Sequence, residues 1–440
     1  MKPLYIDPGT GSMLFSILIG LIAAGMFFLQ KLVIKIKFPL SGGRIRAEEN
    51  KAVPYVIFSD SKRYWNVMGP VCDEFERRGI AAEYWTASED DPALCMPYRH
   101  VVTKYIGSEN QAFAKLNLMR CDVCLATTPG LDVYQWKRSR NAKFYAHIFH
   151  MVDAGTSYRM FGLDYYDAVL LSGDFQEKYI RILEEKRGLP AKETVTVGCP
   201  YLDAMLERRE AECTGSLSGA KSVGGEDKKE AHLSSLPGEP RAAEKPQKTV
   251  LLAPSWGESA ILKRFGSRIL AALRDTGYHI IVRPHPQSFA SEKELMDSLM
   301  KEFPENEQFE WNRDNDNFAV LLRSDIMITD FSGIIFDYAL VFDRPLIYAD
   351  TQFDTAPYDA AWIDDEEYWT LQILPKLGVR LAESDFPHLK EVIDGVTESE
   401  EYAAGRAEIR DTVWQHRGHA AERTVDYLVA KRESLAASMT

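Results

Sequence analysis

Residues 324–345 read SDIMITDFSGIIFDYALVFDRP. An apolar strand over 325–330 runs into a tight Asp-Phe-Ser-Gly turn. The apolar spacing of Ile335, Tyr338, Ala339 and Phe342 then predicts a helix. Strand, small-residue turn and helix together form the repeating unit of a parallel α/β sheet. The opening N–H groups of such a helix have no partner within it and carry partial positive charge. Ser332 can add a hydroxyl donor and Gly333 lets an anion approach the backbone, so Asp330, Ser332 and Gly333 form a candidate phosphate-holding turn that needs no metal. Helix capping calls for the same residue types. The residues alone leave both readings open.

The alternation extends outward in both directions. Further strand-like runs lie at 249–255 (TVLLAPS), 279–286 (HIIVRPHP) and 344–350 (RPLIYAD), with helices between them. Towards the N-terminus, AVPYVIF (52–58), HVVTKYI (100–106), DVCLAT (122–127), KFYAHIFH (143–150), DAVLLSG (167–173) and TVTVG (194–198) read as strands, and 65–79 as a helix ending at Gly79. Between the two series, residues 213–247 hold Gly, Ser, Pro, Lys and Glu with almost no large apolar side chain. Such a stretch cannot bury enough surface to offset its ordering entropy, and reads as a flexible linker or insertion. The expected domains are therefore 48–212 and 248–440, two similar α/β units facing each other across a cleft.

Met13 to Gln30, MLFSILIGLIAAGMFFLQ, carries no charge, and the apolar pattern continues to Ile36. This suits a single membrane-spanning helix over 13–36. Only Lys2 precedes the run, while Lys31, Lys35, Lys37, Arg44 and Arg46 follow it. The positive-inside rule then puts a short leader, 1–12, outside and both α/β units in the cytoplasm, with the basic stretch against anionic membrane lipids. The chain has 440 residues, with 52 Lys+Arg against 65 Asp+Glu and a formal net charge of −13. That acidity argues against a nucleic-acid partner, which would need a basic footprint. Six cysteines in so long a chain cannot form a disulfide framework. Cys121-Asp-Val-Cys124 is one CxxC without a second pair, which reads as core rather than zinc, and Asp314-Asn-Asp316 precedes a helix that it can cap. No metal and no cofactor are expected.

In open parallel sheets, ligands bind beyond the carboxyl ends of the strands. His150 follows one strand, with Asp153, Gly155 and Thr156 close behind; Ser255 and Trp256 follow another. Arg283 and His285 stand in an RPHP run whose prolines fix the backbone on either side of the imidazole. His150 is the candidate base, with Asp153 to orient it. His285 is a candidate catalytic donor to developing phosphate charge. Arg283 and Ser255 are further phosphate-binding candidates.

With LLAPSW (251–256), RPHP (283–286), SDIMITDFSGIIFDYALVFDRPLIY (324–348) and GHAAERTVDYLV (418–429), most of residues 140–440 resembles the CDP-glycerol glycerophosphotransferase family. The resemblance implies two facing Rossmann-like domains in the metal-independent glycosyltransferase-B arrangement. It implies attack by an acceptor hydroxyl on the β-phosphate of CDP-glycerol, with release of CMP, in teichoic acid biosynthesis. His285 would steady the phosphates while Ser332 and Gly333 cradle them. The family's base histidine stands in a His-Gly-Thr-Pro motif followed by lysine. Here MVDA separates His150 from Gly155-Thr156, and Ser157 takes the proline's place.

The expected function is a membrane-anchored transferase moving an alditol phosphate from a CDP-activated donor to a lipid-linked or cell-envelope glycan hydroxyl. A nucleotide-sugar glycosyltransferase or UDP-sugar epimerase-like enzyme would use the same fold, and a non-catalytic nucleotide-binding envelope-assembly partner is a third possibility.

Overall fold

Two fully parallel sheets carry the architecture. The computed structural model describes residues 52–214, 247–314 and 316–438. The first sheet holds β1 (Val53–Ser59), β2 (Ala82–Thr86), β3 (Val101–Tyr105), β4 (Cys121–Ala126), β5 (Ala142–Ile148), β6 (Ala168–Leu171) and β7 (Glu193–Thr196), in the order β3-β2-β1-β4-β5-β6-β7. The second holds β8 (Thr249–Leu252), β9 (His279–Val282), β10 (Phe309–Trp311), β11 (Ile326–Thr329), β12 (Leu346–Ala349) and β13 (Gly378–Leu381), in the order β10-β9-β8-β11-β12-β13. Both are doubly wound Rossmann-type sheets, in agreement with the expected α/β fold. Chain direction reverses between β1 and β4 in one and between β8 and β11 in the other, and each reversal opens a crevice at the strand ends. The central strands are near-continuous apolar runs because helices cover both faces: Val56, Ile57, Phe58, Ile326, Met327 and Ile328 are fully buried.

The expected membrane span at 13–36 and the leader 1–12 lie outside the described residues, as does the 213–247 spacer apart from its ends. Among the described residues, no helix is long and apolar enough to cross a membrane. Cys121 and Cys124 both sit in β4, buried.

The expected second unit, 248–440, extends to the C-terminus. The last helix, Ala420–Ala437, instead returns to the first sheet, where Val425 and Leu428 join the core built by Ile57, Phe75 and Leu125. Asp203 fixes this return: its carboxylate accepts Trp414 Nε1–H at 2.7 Å and the Ala420 N–H at 3.0 Å. Glycine is required where the crossing chain passes, since a Cβ on Gly173 would lie 2.1 Å from the Thr412 carbonyl oxygen.

The lobes also share apolar core. Val152, Ala154, Cys199, Leu202 and Met205 pack in one cluster with Phe336, Leu340 and Trp369. A buried ionic knot ties them at a second place. Asp359, from the loop after β12, accepts the N–H groups of Phe161 (2.7 Å) and Gly162 (3.2 Å) and pairs with Arg187 at 2.5 Å. Arg187 also pairs with Asp164 at 2.6 Å.

Candidate active site

The strand ends of the two sheets converge on one cleft of about 360 Å³. From the first lobe come Arg63 and Tyr64, which follow β1, and His150 and Met151, which follow β5. From the second come Ala253 and Pro254 after β8, Arg283 and His285 after β9, and Ser332 and Gly333 after β11. His150 and His285 thus line the same cleft, one from each lobe.

His150 is half-buried at the end of β5, against the Tyr64 ring at 4.6 Å between centroids. Its Nδ1 lies 3.1 Å from Thr127 Oγ1 and 3.4 Å from the Tyr158 hydroxyl. Burial pushes its pKa down to about 4. A base must be unprotonated at working pH, and this one is.

His285 occupies the N-cap of the helix Pro286–Ser291, where its Nδ1 accepts the Gln287 N–H at 3.1 Å. With Nδ1 accepting, the neutral ring carries its proton on Nε2 and presents an N–H donor. Burial, reinforced by the charges of Arg63 and Arg283, holds its pKa near 4. The two prolines do what RPHP suggests, setting the imidazole by the chain. Arg283 gives Nη2–H to the Asp314 carbonyl at 2.9 Å, and burial lowers its pKa.

Ser332 and Gly333 line the cleft, and the helix starting at Ile334 carries no side-chain cap. Of the two readings of this turn, capping therefore fails. The turn also meets the other lobe, since a Cβ on Gly333 would come within 3.2 Å of Met151 Sδ.

Three expected site residues sit elsewhere. Asp153 is buried, and one carboxylate oxygen accepts the N–H groups of Gly155, Thr156 and Ser157 while the other accepts the Tyr368 hydroxyl at 3.3 Å. It makes no hydrogen bond to His150. The carboxylate winds the loop that follows the histidine, and Thr127 and Tyr158 take the orienting role assigned to it. Asp330 is fully buried and accepts the Ser255 N–H at 3.0 and 3.1 Å and the Ile261 N–H at 3.2 Å. It pins the β8 loop to the β11 loop rather than facing an anion, which its own charge would repel. Ser255, held by that bond, is buried and does not line the cleft, whereas Ala253 and Pro254 do.

The cleft adds residues the sequence reading passed over. Asp337 lines it from the first turn of a five-residue π-helix, Asp337–Val341, an irregularity that recurs at functional sites. Its Oδ2 accepts the Tyr201 hydroxyl at 2.9 Å and Asn317 Nδ2–H at 2.7 Å. Burial raises its pKa to about 7 against the pull of those bonds and of Arg283. A lone carboxylate amid IIFDYALVF was the available signal. Arg63 and Tyr64 were findable too, because the strand-end rule applies to β1 as it does to β5. Asp316 accepts the Phe318 N–H at 3.1 Å just before the helix Phe318–Arg323 and pairs with Arg208 at 2.7 Å. Among the described residues, no group of three or more His, Cys, Asp or Glu is placed to hold a metal ion.

Residues 226–430 match the family described as CDP-Glycerol:Poly(glycerophosphate) glycerophosphotransferase. Among solved structures, the wall teichoic acid polymerase TagF soaked with CDPG is 14% identical with a TM-score of 0.55, covering 95% of this chain and 99% of that one. The UDP-GlcNAc 2-epimerase of Methanocaldococcus jannaschii, in complex with UDP-GlcNAc and UDP, is 12% identical with a TM-score of 0.52, covering 86% and 99%. That of Neisseria meningitidis, bound to UDP-GlcNAc, is 11% identical with a TM-score of 0.51, covering 86% and 100%. At these identities the likeness is one of fold. No curated protein matches the chain. The family match spans the second lobe with its β8, β9 and β11 loops, so the resemblance drawn from RPHP and the 324–348 segment holds, and the chain is a CDP-glycerol glycerophosphotransferase-like enzyme.

Proposed function

We propose that this chain transfers glycerol phosphate from CDP-glycerol to a hydroxyl of a lipid-linked or cell-envelope glycan, releasing CMP. One observation carries the reading: a neutral histidine from each lobe, His150 and His285, lines the same cleft as the Ser332-Gly333 turn and Arg283. In the proposed reaction the acceptor oxygen attacks the phosphorus that bears glycerol, and the bond from that phosphorus to the CMP oxygen breaks. The hydroxyl proton passes to His150 Nε2, whose lone pair is free when Nδ1–H donates to the Thr127 and Tyr158 oxygens. His285 Nε2–H, the Ser332 hydroxyl and Arg283 act on the phosphate oxygens, where fixed donors in a dry site are most effective. The N-terminal segment 13–36 would anchor the enzyme in the cell membrane with both lobes cytoplasmic, its basic flank on anionic lipid.

The test is a donor panel. The full chain, incubated with membrane extract and with CDP-glycerol or UDP-sugars in turn, should release CMP from CDP-glycerol and no UDP. Release of UDP alone would favour the nucleotide-sugar reading. Binding of CDP-glycerol without turnover under any acceptor would favour a non-catalytic partner.

A further inference from the structure

His147 is an imidazole at a position in β5 that the fold buries completely. It stands between Ala126 of β4 and Val169 of β6, with 0% of its surface exposed. The rings of Phe149, Tyr158 and Tyr166 surround it edge-on, with centroids 5.3, 5.3 and 5.0 Å away. A buried polar ring is costly unless it is hydrogen-bonded. His147 makes one such bond: Nε2 lies 3.0 Å from the Tyr158 hydroxyl, while Nδ1 has no partner. On the other side of the same hydroxyl, 3.4 Å away, is His150 Nδ1.

We propose that His147 is a positioning residue for the base: it takes the Tyr158 hydroxyl proton, and thereby keeps the His150 proton on Nδ1 and the lone pair on Nε2. The inference rests on reading His150 as the base and adds what sets its tautomer.

The argument is a count of protons. Burial lowers the pKa of both histidines and raises that of Tyr158, so all three are uncharged near pH 7. The phenol then has one proton, and two ring nitrogens compete for it. Given to His147 Nε2, that proton leaves an oxygen lone pair facing His150 Nδ1, and an N–H there is attracted to it. Given to His150 Nδ1, it forces the ring proton of His150 onto Nε2, where a base needs its lone pair.

Thr127 Oγ1, 3.1 Å from His150 Nδ1, does not choose between these states, because a hydroxyl donates or accepts. The convergence of two oxygens on one nitrogen does favour one of them. An N–H can be shared between two acceptors, whereas a ring nitrogen has a single lone pair to offer two donors. The phenol is held in place for this task. Its ring stacks on Phe149 at 5.9 Å and 8°, and its backbone carbonyl accepts the Asp359 N–H at 2.8 Å from the other lobe.

Two measurements test the proposal. Nitrogen NMR of the full chain with 15N-labelled histidine reads the tautomer without turnover, the His150 signals being those lost in His150→Gln. His150 should carry its proton on Nδ1 in the wild type and on Nε2 in His147→Leu. CMP release from CDP-glycerol with membrane extract reads the consequence. His147→Leu should lower kcat about ten- to a hundredfold with the donor KM unchanged, less than a fully wrong tautomer costs, because Thr127 still accepts. His147→Gln, whose amide oxygen can take the Tyr158 proton, should restore most of that loss. Tyr158→Phe should cost about as much as His147→Leu, and the double variant no more than either, whereas a packing defect would multiply with it. A wild-type His150 protonated on Nε2 would overturn the role of His147 even if the leucine variant failed to fold, and so would losses that multiply. A wild type with the Nδ1 tautomer but no CMP release would support the positioning and overturn the reading of the cleft.

Discussion

Replacing Asp337 by asparagine should change how stability depends on pH. The Asp337 carboxyl is 7% exposed, and one of its oxygens accepts from both Tyr201 and Asn317. An asparagine carbonyl can keep both bonds, so the substitution removes the titration and little else. Burial holds the folded pKa at about 7, against an ordinary value of 3.8. Between those two values the folded state binds a proton that the unfolded chain has released. Stability therefore falls as pH rises through this window, and the full loss is in place above pH 7. A shift of about 3 units at 1.36 kcal/mol each gives roughly 4 kcal/mol. The Asp337→Asn chain should thus lead by only about 1 kcal/mol at pH 4.5, where the unfolded carboxyl is already mostly ionised. By pH 8 the variant should be ahead by up to about 4 kcal/mol. Denaturant unfolding followed by tryptophan fluorescence at several pH values measures this, with Trp311 and Trp369 reporting from the second lobe. Only the difference between the proteins matters, because every other titrating group cancels in it. A difference that stays constant from pH 4.5 to 8 would refute the argument.

Three further outcomes are expected. His285→Ala should lower kcat by about two orders of magnitude, the scale for removing one fixed donor to developing oxyanion charge, as read by CMP release. With His150 pushed down to about 4, kcat/KM in the Asp337→Asn background should be level from pH 6 to 8 and fall below about pH 5, as the base takes up a proton. Arg187→Met should cost about 3–5 kcal/mol of unfolding free energy by denaturant titration, because it leaves Asp359, which is 0% exposed, without its partner.

The parts of the fold legible in the sequence are those with strong local signals. Ten of the thirteen strands among the described residues announce themselves as apolar runs bounded by turn residues. The three that do not are β2, β10 and β13. β2 (AEYWT) has half-buried Glu83 and Trp85 alternating with buried positions, so it lacks a continuous apolar run. β10 has only three residues and lies at a sheet edge, and β13 (GVRL) is the opposite edge. β13 starts at a glycine whose Cβ would meet the Leu346 carbonyl oxygen at 1.7 Å. An edge strand buries less, and so needs less of the pattern that reveals strands. At the site, position relative to a strand end was enough to find His150, Arg283, His285, Ser332 and Gly333. It could not tell which way a carboxylate turns. Asp153 and Asp330 follow their strands as the rule requires, yet each is drawn inward by neighbouring backbone N–H groups, and only the folded loop determines that. Asp337 was hidden for the opposite reason. Its helix reads as an apolar face, and the Tyr201 hydroxyl that meets the carboxylate comes from the other lobe.

The charge balance of the cleft leads to a last prediction. Both histidines are neutral near pH 7, so the charges facing a donor come from Arg63 and Arg283 on one side and Asp316 and Asp337 on the other. Asp316 is already paired to Arg208. With Asp337 protonated, the cleft is net positive, and a diphosphate enters a favourable field. With Asp337 ionised, the balance is lost, and the donor's own negative charge adds to the cost of keeping that carboxylate ionised. A bound diphosphate must therefore raise the pKa of Asp337 further, and by linkage its binding must draw a proton from solution at pH values just above 7. Calorimetry of CDP-glycerol binding at pH 7.5, in buffers of different ionisation enthalpy, should show uptake of a substantial fraction of one proton. The uptake should vanish in Asp337→Asn while binding remains. Equal uptake in both proteins would mean that another group carries the coupling and that Asp337 does not face the phosphates.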